Sequence, residues 1–365
     1  MTLFLSADDV TAVLQMPDCI EAMETVFREE AQGAAINHPR QRFTLPRSIP
    51  LGESGWWTNM IAGAATSTGF AALRVDSGVV REHEVDGRRR MEWEYPDARS
   101  WGFVLLFELT TGKPAAVFHD FSLSPIRVAA TSAVAVRELS RPDARVLALL
   151  GTGNEAVRHL ESLALVRDLS DIRVYSPTER HRSAFVEQAS DRVSATVEAV
   201  DGPEEAVREA DIVMCATNSS EPVFDGAWLR PGQMVSTIVN TDHNTQRTEA
   251  DRTTFERADL IVLNSRETAV SNNQVELLEP IAEGTVSWDD VVDLGAVLAR
   301  SSPGRRREDD LIYYKSNCGV GIQFAAAGAL IYARCLEAGR GTEVPDELFG
   351  ADVSWWLDRG FKPSP

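Results

Sequence analysis

Alternating apolar and polar positions dominate the first third of the chain. They alternate over 55–65 and 69–80, which predicts half-buried strands. The stretch 101–124 alternates on both sides of a Thr-Thr-Gly-Lys sequence, which predicts a hairpin. Between these stretches, 81–99 is rich in charge and predicts an exposed excursion. Antiparallel sheet is therefore expected in this part of the chain.

Helical spacing flanks this sheet in the sequence. Residues 5–33 begin with a capping Ser6 and carry apolar residues at helical spacing, and Pro17 predicts a division into two helices. Near the other end, 317–341 predicts one long apolar helix. We expect that helix to pack back on the first sheet.

From about residue 124 the pattern changes to helix and strand in alternation. Apolar runs without alternation mark strands that are buried on both faces, and the intervening segments have helical spacing. The predicted buried strands are 145–151, 171–176, 210–217, 233–239 and 258–264. This order predicts an α/β fold, with a doubly wound parallel sheet of the Rossmann type beside an α+β part.

Composition and charge disfavour several classes of protein. A chain of 365 residues fits two domains, and its net charge of −19 disfavours nucleic-acid binding. Four scattered cysteines and six dispersed histidines predict reduced thiols, a cytoplasmic location and no metal site. We expect no signal peptide at the N-terminus, and no apolar run reaches the roughly 18 residues that span a membrane.

A glycine-rich loop follows the strand at 145–151. It has the GxGxxA spacing, it opens a predicted helix, and the next strand begins about 20 residues on, as in a dinucleotide-binding βαβ unit. The helix N-terminus would offer N–H groups to a pyrophosphate. The predicted cofactor-binding residues here are Gly151, Thr152, Gly153, Asn154, Glu155 and Ala156.

The end of the second strand discriminates between NADP and NAD. NAD sites usually carry an acidic residue there, which binds the ribose 2′-hydroxyl. Hydroxyl and cationic residues occur here instead and favour a 2′-phosphate, so NADP(H) is predicted, with NAD(H) possible if Glu179 turns inward. The predicted residues are Ser176, Thr178, Arg180, His181 and Arg182.

Four stretches in order resemble the ornithine cyclodeaminase/μ-crystallin family. They are LLGTGNEAVRHLESL, SPIRVAATSAVAV, ADIVMCATNSSEPVFDGAWLRPGQMVSTI and YYKSNCGVGIQFAAAGALIYA. The resemblance implies hydride transfer between NAD(P) and the α-carbon of an amino or imino acid. It also implies a homodimer, with a substrate-binding and dimerisation domain at 1–126 and 312–365 and a dinucleotide-binding domain at 127–311.

The resemblance also assigns substrate-binding residues. Arg127 matches the family arginine that holds the substrate carboxylate, a task suited to a guanidinium fork, although Val128 replaces the threonine that follows it. Arg42 resembles a second carboxylate-binding arginine, and Arg40 is an alternative. Lys315 matches the family's KSxG loop.

Arg74 stands where the family has its catalytic lysine. An arginine stays charged and does not readily exchange a proton, so Arg74 is predicted to position or polarise the substrate. Asp242 and His243 fall near the family's catalytic aspartate, and either could exchange a proton with a substrate nitrogen. Further residues are predicted to face the cofactor: Cys215, Ala216, Thr217, Val239, Asn240 and Ser316.

Taken together, these features predict an NAD(P)-dependent oxidoreductase, either an imino acid reductase or an amino acid dehydrogenase. An ammonia lyase of the ornithine cyclodeaminase type is an alternative, which the replacement of lysine by Arg74 disfavours. A non-catalytic protein that binds NADPH and a small ligand is the alternative outside the enzymes.

Overall fold

The computed structural model describes residues 1–45, 54–85, 88–95, 97–241, 246–317 and 319–357. Strands β1–β16 and helices α1–α12 are numbered in chain order. The strands form two eight-stranded sheets, A and B. Sheet A is largely antiparallel and sheet B is parallel throughout. The predicted fold class is therefore confirmed.

Sheet A has the order β16-β1-β7-β6-β4-β3-β2, with β5 paired to β4 beyond this path. Its strands are β1 Thr2–Leu5, β2 Ala35–Thr44, β3 Ser54–Ala65, β4 Phe70–Val85, β5 Arg88–Glu94, β6 Trp101–Glu108, β7 Pro114–His119 and β16 Thr342–Val344. The accompanying helices are α1 Ala7–Val13, α2 Met16–Ala31, α3 Leu123–Leu139, α11 Ile322–Ala338 and α12 Ser354–Leu357.

The helix division at Pro17 and the hairpin over 101–124 are confirmed. The excursion predicted at 81–99 contains a strand pair, since β4 continues to Val85 and pairs with β5, and its described side chains at 81, 93–95 and 97–99 are exposed or partly exposed.

Sheet B has the order β10-β9-β8-β11-β12-β15-β13-β14. Its strands are β8 Val146–Leu150, β9 Asp171–Tyr175, β10 Thr196–Ala199, β11 Ile212–Cys215, β12 Met234–Thr237, β13 Leu260–Leu263, β14 Val291–Asp293 and β15 Ile312–Lys315. The helices around it are α4 Asn154–Val166, α5 Glu179–Ala189, α6 Pro203–Arg208, α7 Arg252–Arg257, α8 Arg266–Ser271, α9 Val275–Ala282 and α10 Leu294–Leu298.

Both faces of sheet B are covered, as its apolar strands predict. Leu147 and Leu149 face a core that is shared with helices α2 and α3 and with sheet A, whereas Ala148 and Leu150 face a second core. The boundary expected at residue 312 needs one correction. Strand β15 pairs with β12 and β13 inside sheet B, so the parallel sheet extends to Lys315.

Helix α11 returns to sheet A and sets the shape of the region between the sheets. A Cβ on Gly321 would lie 1.8 Å from the carbonyl oxygen of Ala62, so only glycine allows the helix to start this close to β3. The start of the helix then carries Gln323 and Phe324 into the interior.

Cys19, Cys215 and Cys335 are free and are buried, and Cys318 lies outside the described residues. Within the described ranges, no helix is long and apolar enough to span a bilayer, and no cluster of potential metal ligands occurs.

Candidate active site

A cavity of about 800 Å³ lies at the carboxyl ends of β8, β9 and β11. The chain leaves β8 toward β9 on one side and returns to its other side as β11, and dinucleotides bind at such a switch point of a doubly wound sheet. We call this cavity the dinucleotide groove. Nine predicted cofactor residues line it: Gly151, Thr152, Gly153, Asn154, Glu155, Ser176, His181, Ala216 and Thr217.

The glycine loop has the geometry that a pyrophosphate needs. Gly151 has a φ of 122°, and a Cβ there would lie 2.3 Å from the carbonyl oxygen of Ala216. Gly153 has open space where its Cβ would be, and no side chain caps the start of α4. The N-terminus of α4 therefore remains available for an anion, while Ala156 is fully buried behind it. These residues fit a dinucleotide.

Only some of the residues predicted to bind a 2′-phosphate at the end of β9 line the groove. Ser176 and His181 line the groove, whereas Thr178 and Arg180 are exposed residues outside its lining. Arg182 needs a correction. Its guanidinium donates to the carbonyl oxygen of Ser176 at 2.7 Å and forms an ion pair with Asp201 at 3.3 Å, so it stabilises the end of β9.

A second cavity of about 420 Å³, the substrate cleft, lies beside the groove. Asn154 and Glu155 line both cavities, so the first turn of α4 is the point where they meet. Aromatic side chains form much of the cleft wall: Trp57, Trp93, Tyr95, Trp101 and Phe121. Trp57 and Trp93 contact each other edge to face, with ring centroids 4.1 Å apart.

Arg74 lines this cleft between two carboxylates. Its Nη1 lies 2.6 Å from Asp76 Oδ1, and its Nη2 lies 2.6 Å from Asp120 Oδ2. Burial raises the pKa of Asp76, and the charge of Arg74 opposes that shift. Two carboxylates around one guanidinium make this part of the cleft electronegative, which sequence reasoning did not anticipate.

Strand register explains this cluster. Alternation puts Arg74 and Asp76 on one face of β4, and Asp76 lies opposite Asn59 of β3 and Gly102 of β6. A Cβ on Gly102 would lie 2.3 Å from Asp120 Oδ1, so the glycine makes room for that carboxylate. The two-residue spacing of Arg74 and Asp76 on a predicted strand could have identified Asp76 as a partner of Arg74. Asp120 could not be identified in this way, because the pairing of β6 with β7 places it there.

The predicted carboxylate-binding arginines lie around the cleft. Arg42 donates from Nε to Asn59 Oδ1 at 2.7 Å and stacks on Trp57, and burial lowers its pKa to about 9, with Arg40 adding to the shift. Arg40 donates to Asn240 Oδ1 at 3.0 Å and so joins sheet A to the end of β12.

Arg127 is buried directly behind the cleft. Its Nη1 donates to Gln323 Oε1 at 2.5 Å, and its guanidinium lies 4.8 Å from the centroid of the Phe324 ring. Its Nη2 lies 3.5 Å from the hydroxyl of Ser124, which lines the cleft.

Lys315 is placed differently from its prediction. Its side chain is fully buried and pairs with Glu276, and its Nζ donates to the carbonyl oxygen of Val239 at 2.6 Å. A substrate in the cleft would not reach this nitrogen. The assignment as a substrate ligand is therefore corrected to a structural ion pair beneath the ends of β12 and β15.

A second buried glutamate, Glu249, lies beside this ion pair of Lys315 and Glu276. Glu249 accepts from the backbone N–H groups of Ile238 and Val239 at 2.8 and 2.9 Å and from that of Thr217 at 2.7 Å. Burial raises the pKa of Glu249, and Glu276 reinforces the shift. Burial acts to raise the pKa of Glu276, but Lys315 outweighs it and holds that pKa low. Sequence reasoning missed both residues because neither belongs to a recognisable motif.

The remaining predicted residues divide into two groups. Cys215, Val239 and Ser316 have buried side chains and do not line the groove. The side-chain oxygen of Asn240 accepts hydrogen bonds from Arg40 and Gln274. Asp242 and His243 lie outside the described residues, so their assignment as proton-transfer residues stays a prediction.

Fold and site together define a protein with a dinucleotide-binding sheet and an adjoining cleft for a small polar ligand. The family model described as ornithine cyclodeaminase/mu-crystallin family matches residues 85–339. The chain belongs to the ornithine cyclodeaminase/mu-crystallin family.

Individual relatives agree with this membership. The chain is 30% identical over 244 residues to a Delta(1)-pyrroline-2-carboxylate reductase of Bacillus cereus, which covers 67% of this chain and 74% of that protein. It is 32% identical over 328 residues to a Sinorhizobium fredii protein described as an uncharacterized cyclodeaminase, which covers 89% of this chain and 93% of that protein.

Among solved structures, Thermococcus litoralis Delta(1)-pyrroline-2-carboxylate reductase in complex with NADH and L-proline has a TM-score of 0.81 and 24% identity. The match covers 94% of this chain and all of that one. This likeness shows the fold.

Proposed function

We propose that this chain is an NAD(P)H-dependent imino acid reductase, which converts a C=N bond next to a carboxylate into an amine. The observation that carries this proposal is the junction of the groove and the cleft at Asn154 and Glu155. A nicotinamide extending from the groove would reach a substrate in the cleft there, and proximity of this kind supplies much of a rate enhancement. The reductase relatives support the same reaction.

The charge of the cleft favours an imine substrate. When bound, the cofactor supplies the hydride. Asp76 and Asp120 make the surroundings of Arg74 electronegative, which favours a protonated, positively charged nitrogen over a neutral one. An iminium carbon accepts a hydride more readily than a neutral imine carbon. The two aspartates therefore stabilise the reactive form of the substrate.

The substrate carboxylate binds beside Ser124 in this proposal, next to the Arg74 cluster. Ser124 presents its hydroxyl to the cleft in the first turn of α3, and Arg127 lies behind it. A carboxylate at Ser124 would feel both the guanidinium charge and the positive end of the helix dipole. Arg42 is a second cation near the aromatic wall, through its contact with Trp57.

NADP(H) is the proposed cofactor, with NAD(H) as the alternative. The groove at the end of β9 is lined by Ser176, Pro177 and His181, none of which carries a carboxylate. A hydroxyl and an imidazole suit a 2′-phosphate better than an acidic residue would. Family membership supports a homodimer as part of the proposal, and the four scattered cysteines support a cytoplasmic location.

Cofactor oxidation tests the proposal. We expect the purified protein to oxidise NADPH in the presence of cyclic imino acids, or of 2-oxo acids mixed with simple amines, and to oxidise NADH more slowly. Imines without a carboxylate are the matched control and should react poorly. Tight NADPH binding without turnover on any imine would instead favour the non-catalytic binding protein.

A further inference from the structure

Glu155 occupies the point where the two cavities meet. It is the second residue of α4 and lines both the groove and the cleft. Its side chain is 39% exposed, yet Oε2 is enclosed and has no hydrogen-bond partner among the described residues. The unpartnered Oε2 has a free site for a proton, and the exposed part of the carboxyl side chain faces the two cavities.

The surroundings of Glu155 favour its neutral form. Burial raises its pKa to about 7, although the charge of Arg127 acts against that shift. His159 lies one turn along α4, with its Nδ1 3.9 Å from Oε2, and burial lowers the pKa of that imidazole to about 4. The nearest imidazole is therefore neutral, and near neutral pH the carboxyl group exists in both protonation states.

The two arginines that line the cleft are poorly suited to deliver a proton. Arg74 carries a guanidinium, which does not readily release a proton; its Nε donates to Asp120 Oδ2 and its Nη1 forms an ion pair with Asp76. Arg99 is likewise a guanidinium. Among the described carboxyl groups that line the cleft, Glu155 is the one that also lines the groove from which the hydride would arrive.

We propose that Glu155 is the proton donor of the reduction, an inference that rests on the proposed function. The neutral carboxylic acid gives its proton to the imine nitrogen, which forms an N–H bond and an iminium ion. Hydride from NAD(P)H then adds to the iminium carbon, so the C=N bond is reduced to an amine and the cofactor is oxidised. The Glu155 carboxylate regains a proton from water through the cleft opening.

A pair of substrates separates proton donation from every other role of this residue. A neutral cyclic imine needs a proton before it accepts hydride, whereas an N-methyl iminium salt already carries the positive charge. We expect Glu155→Gln to lower kcat for the imine by about 100-fold or more, the usual contribution of a general acid. Turnover of the iminium salt should fall much less than turnover of the imine, since the salt needs no proton.

The pH dependence gives a second kinetic test. In the wild type, kcat for the imine should fall as the pH rises through about 7, where Glu155 loses its proton, and the iminium salt should show no such fall. Glu161→Gln is the matched control, because it makes the same change on the same helix at a residue paired with Arg158 and Arg192. It should leave both rates unchanged.

A readout without catalysis completes the test. A potentiometric difference titration of the wild type against Glu155→Gln, without cofactor, should show one extra proton released with a midpoint of about 7. An ordinary carboxyl midpoint would overturn the proposal, as would equal losses with the imine and the iminium salt. A change confined to the pH dependence of the NADPH Kd would assign Glu155 to the phosphates instead. If the wild type reduces neither substrate, the proposed function itself fails.

Discussion

The guanidinium of Arg74 meets the carboxylate of Asp120 at 2.6 Å in the wall of the substrate cleft. Asp120 follows β7 and Arg74 lies on β4, so the contact spans the strand between them and is buried on both sides. With Asp76 as a second partner, the arginine acts as a fixed electrostatic element. Its family position suggests a proton carrier, but its contacts are those of a structural cation.

Replacing Arg74 with lysine should therefore impair the enzyme. One ammonium group does not reproduce the separate contacts that the guanidinium makes with Asp76 and Asp120. Loss of one charge-assisted hydrogen bond is worth about 1.5–3 kcal/mol, so we expect kcat/KM for an imino acid to fall about tenfold or more. Steady-state kinetics check this, and a gain of turnover from near zero would favour the binding-protein alternative.

Asp120→Asn should weaken both the fold and the binding of a cationic substrate. The change removes one of the two negative charges beside Arg74, and we expect a loss of about 1–3 kcal/mol in the free energy of unfolding and a higher KM. Urea denaturation and kinetics measure the two effects. Asp97→Asn, at an exposed position on the cleft, should leave stability unchanged, and equal effects of the two variants would contradict the prediction.

Ser176→Asp should shift the cofactor preference toward NADH. The new carboxylate would lie in the groove at the end of β9, where it repels a 2′-phosphate and accepts hydrogen bonds from a 2′-hydroxyl. We expect the ratio of kcat/KM for NADPH to that for NADH to fall by about tenfold or more, given about 1.5–3 kcal/mol for a charge-assisted bond. Asparagine at the same position is the isosteric control. An unchanged ratio would show that the 2′-position binds elsewhere.

Lys315→Met should destabilise the protein strongly. The methionine would leave Glu276 charged and buried without its cation, and breaking a buried pair costs about 3–5 kcal/mol. Urea denaturation should register this loss, and the double variant with Glu276→Gln should recover part of it. If Lys315 instead binds substrate, the single variant would keep its stability and raise KM.

His159 should make stability decline at acidic pH. Its Nδ1 donates to the carbonyl oxygen of Glu155 at 2.7 Å, and burial lowers its pKa from 6.5 to about 4. Because the folded-state pKa is depressed, the neutral imidazole favours folding above pH 6.5, and that contribution is lost as the pH falls toward 4. The full effect is about 3 kcal/mol, since each pKa unit is worth about 1.4 kcal/mol.

His159→Gln provides the comparison for this pH effect. Glutamine does not titrate, so the unfolding free energy of this variant should decline less steeply than that of the wild type across the same pH range. Chemical denaturation at several pH values would show it. Parallel curves would mean that other groups cause the acid sensitivity.

Local patterns were sufficient for much of this protein. Largely apolar runs predicted β8, β11, β12 and β13, because a strand buried on both faces has little room for polar residues, and the run at 171–176 predicted β9, whose burial alternates. The GxGxxA spacing located the groove because Gly151 requires a positive φ, a local property of the backbone. By contrast, β10, β14 and β15 were missed, since they are short and their apolar residues fit several structures.

The cleft depended on tertiary structure. Three features of the site join segments that are distant in sequence. They are the ion pair of Arg74 with Asp120, the burial of Lys315 against Glu276, and the position of Glu155 between two cavities. The sequence by itself determined the doubly wound sheet, the cofactor loop and the family, because these depend on residue type and short spacing. Only the tertiary structure decided which charges are paired and which face a ligand, because pairing and burial depend on distances in space.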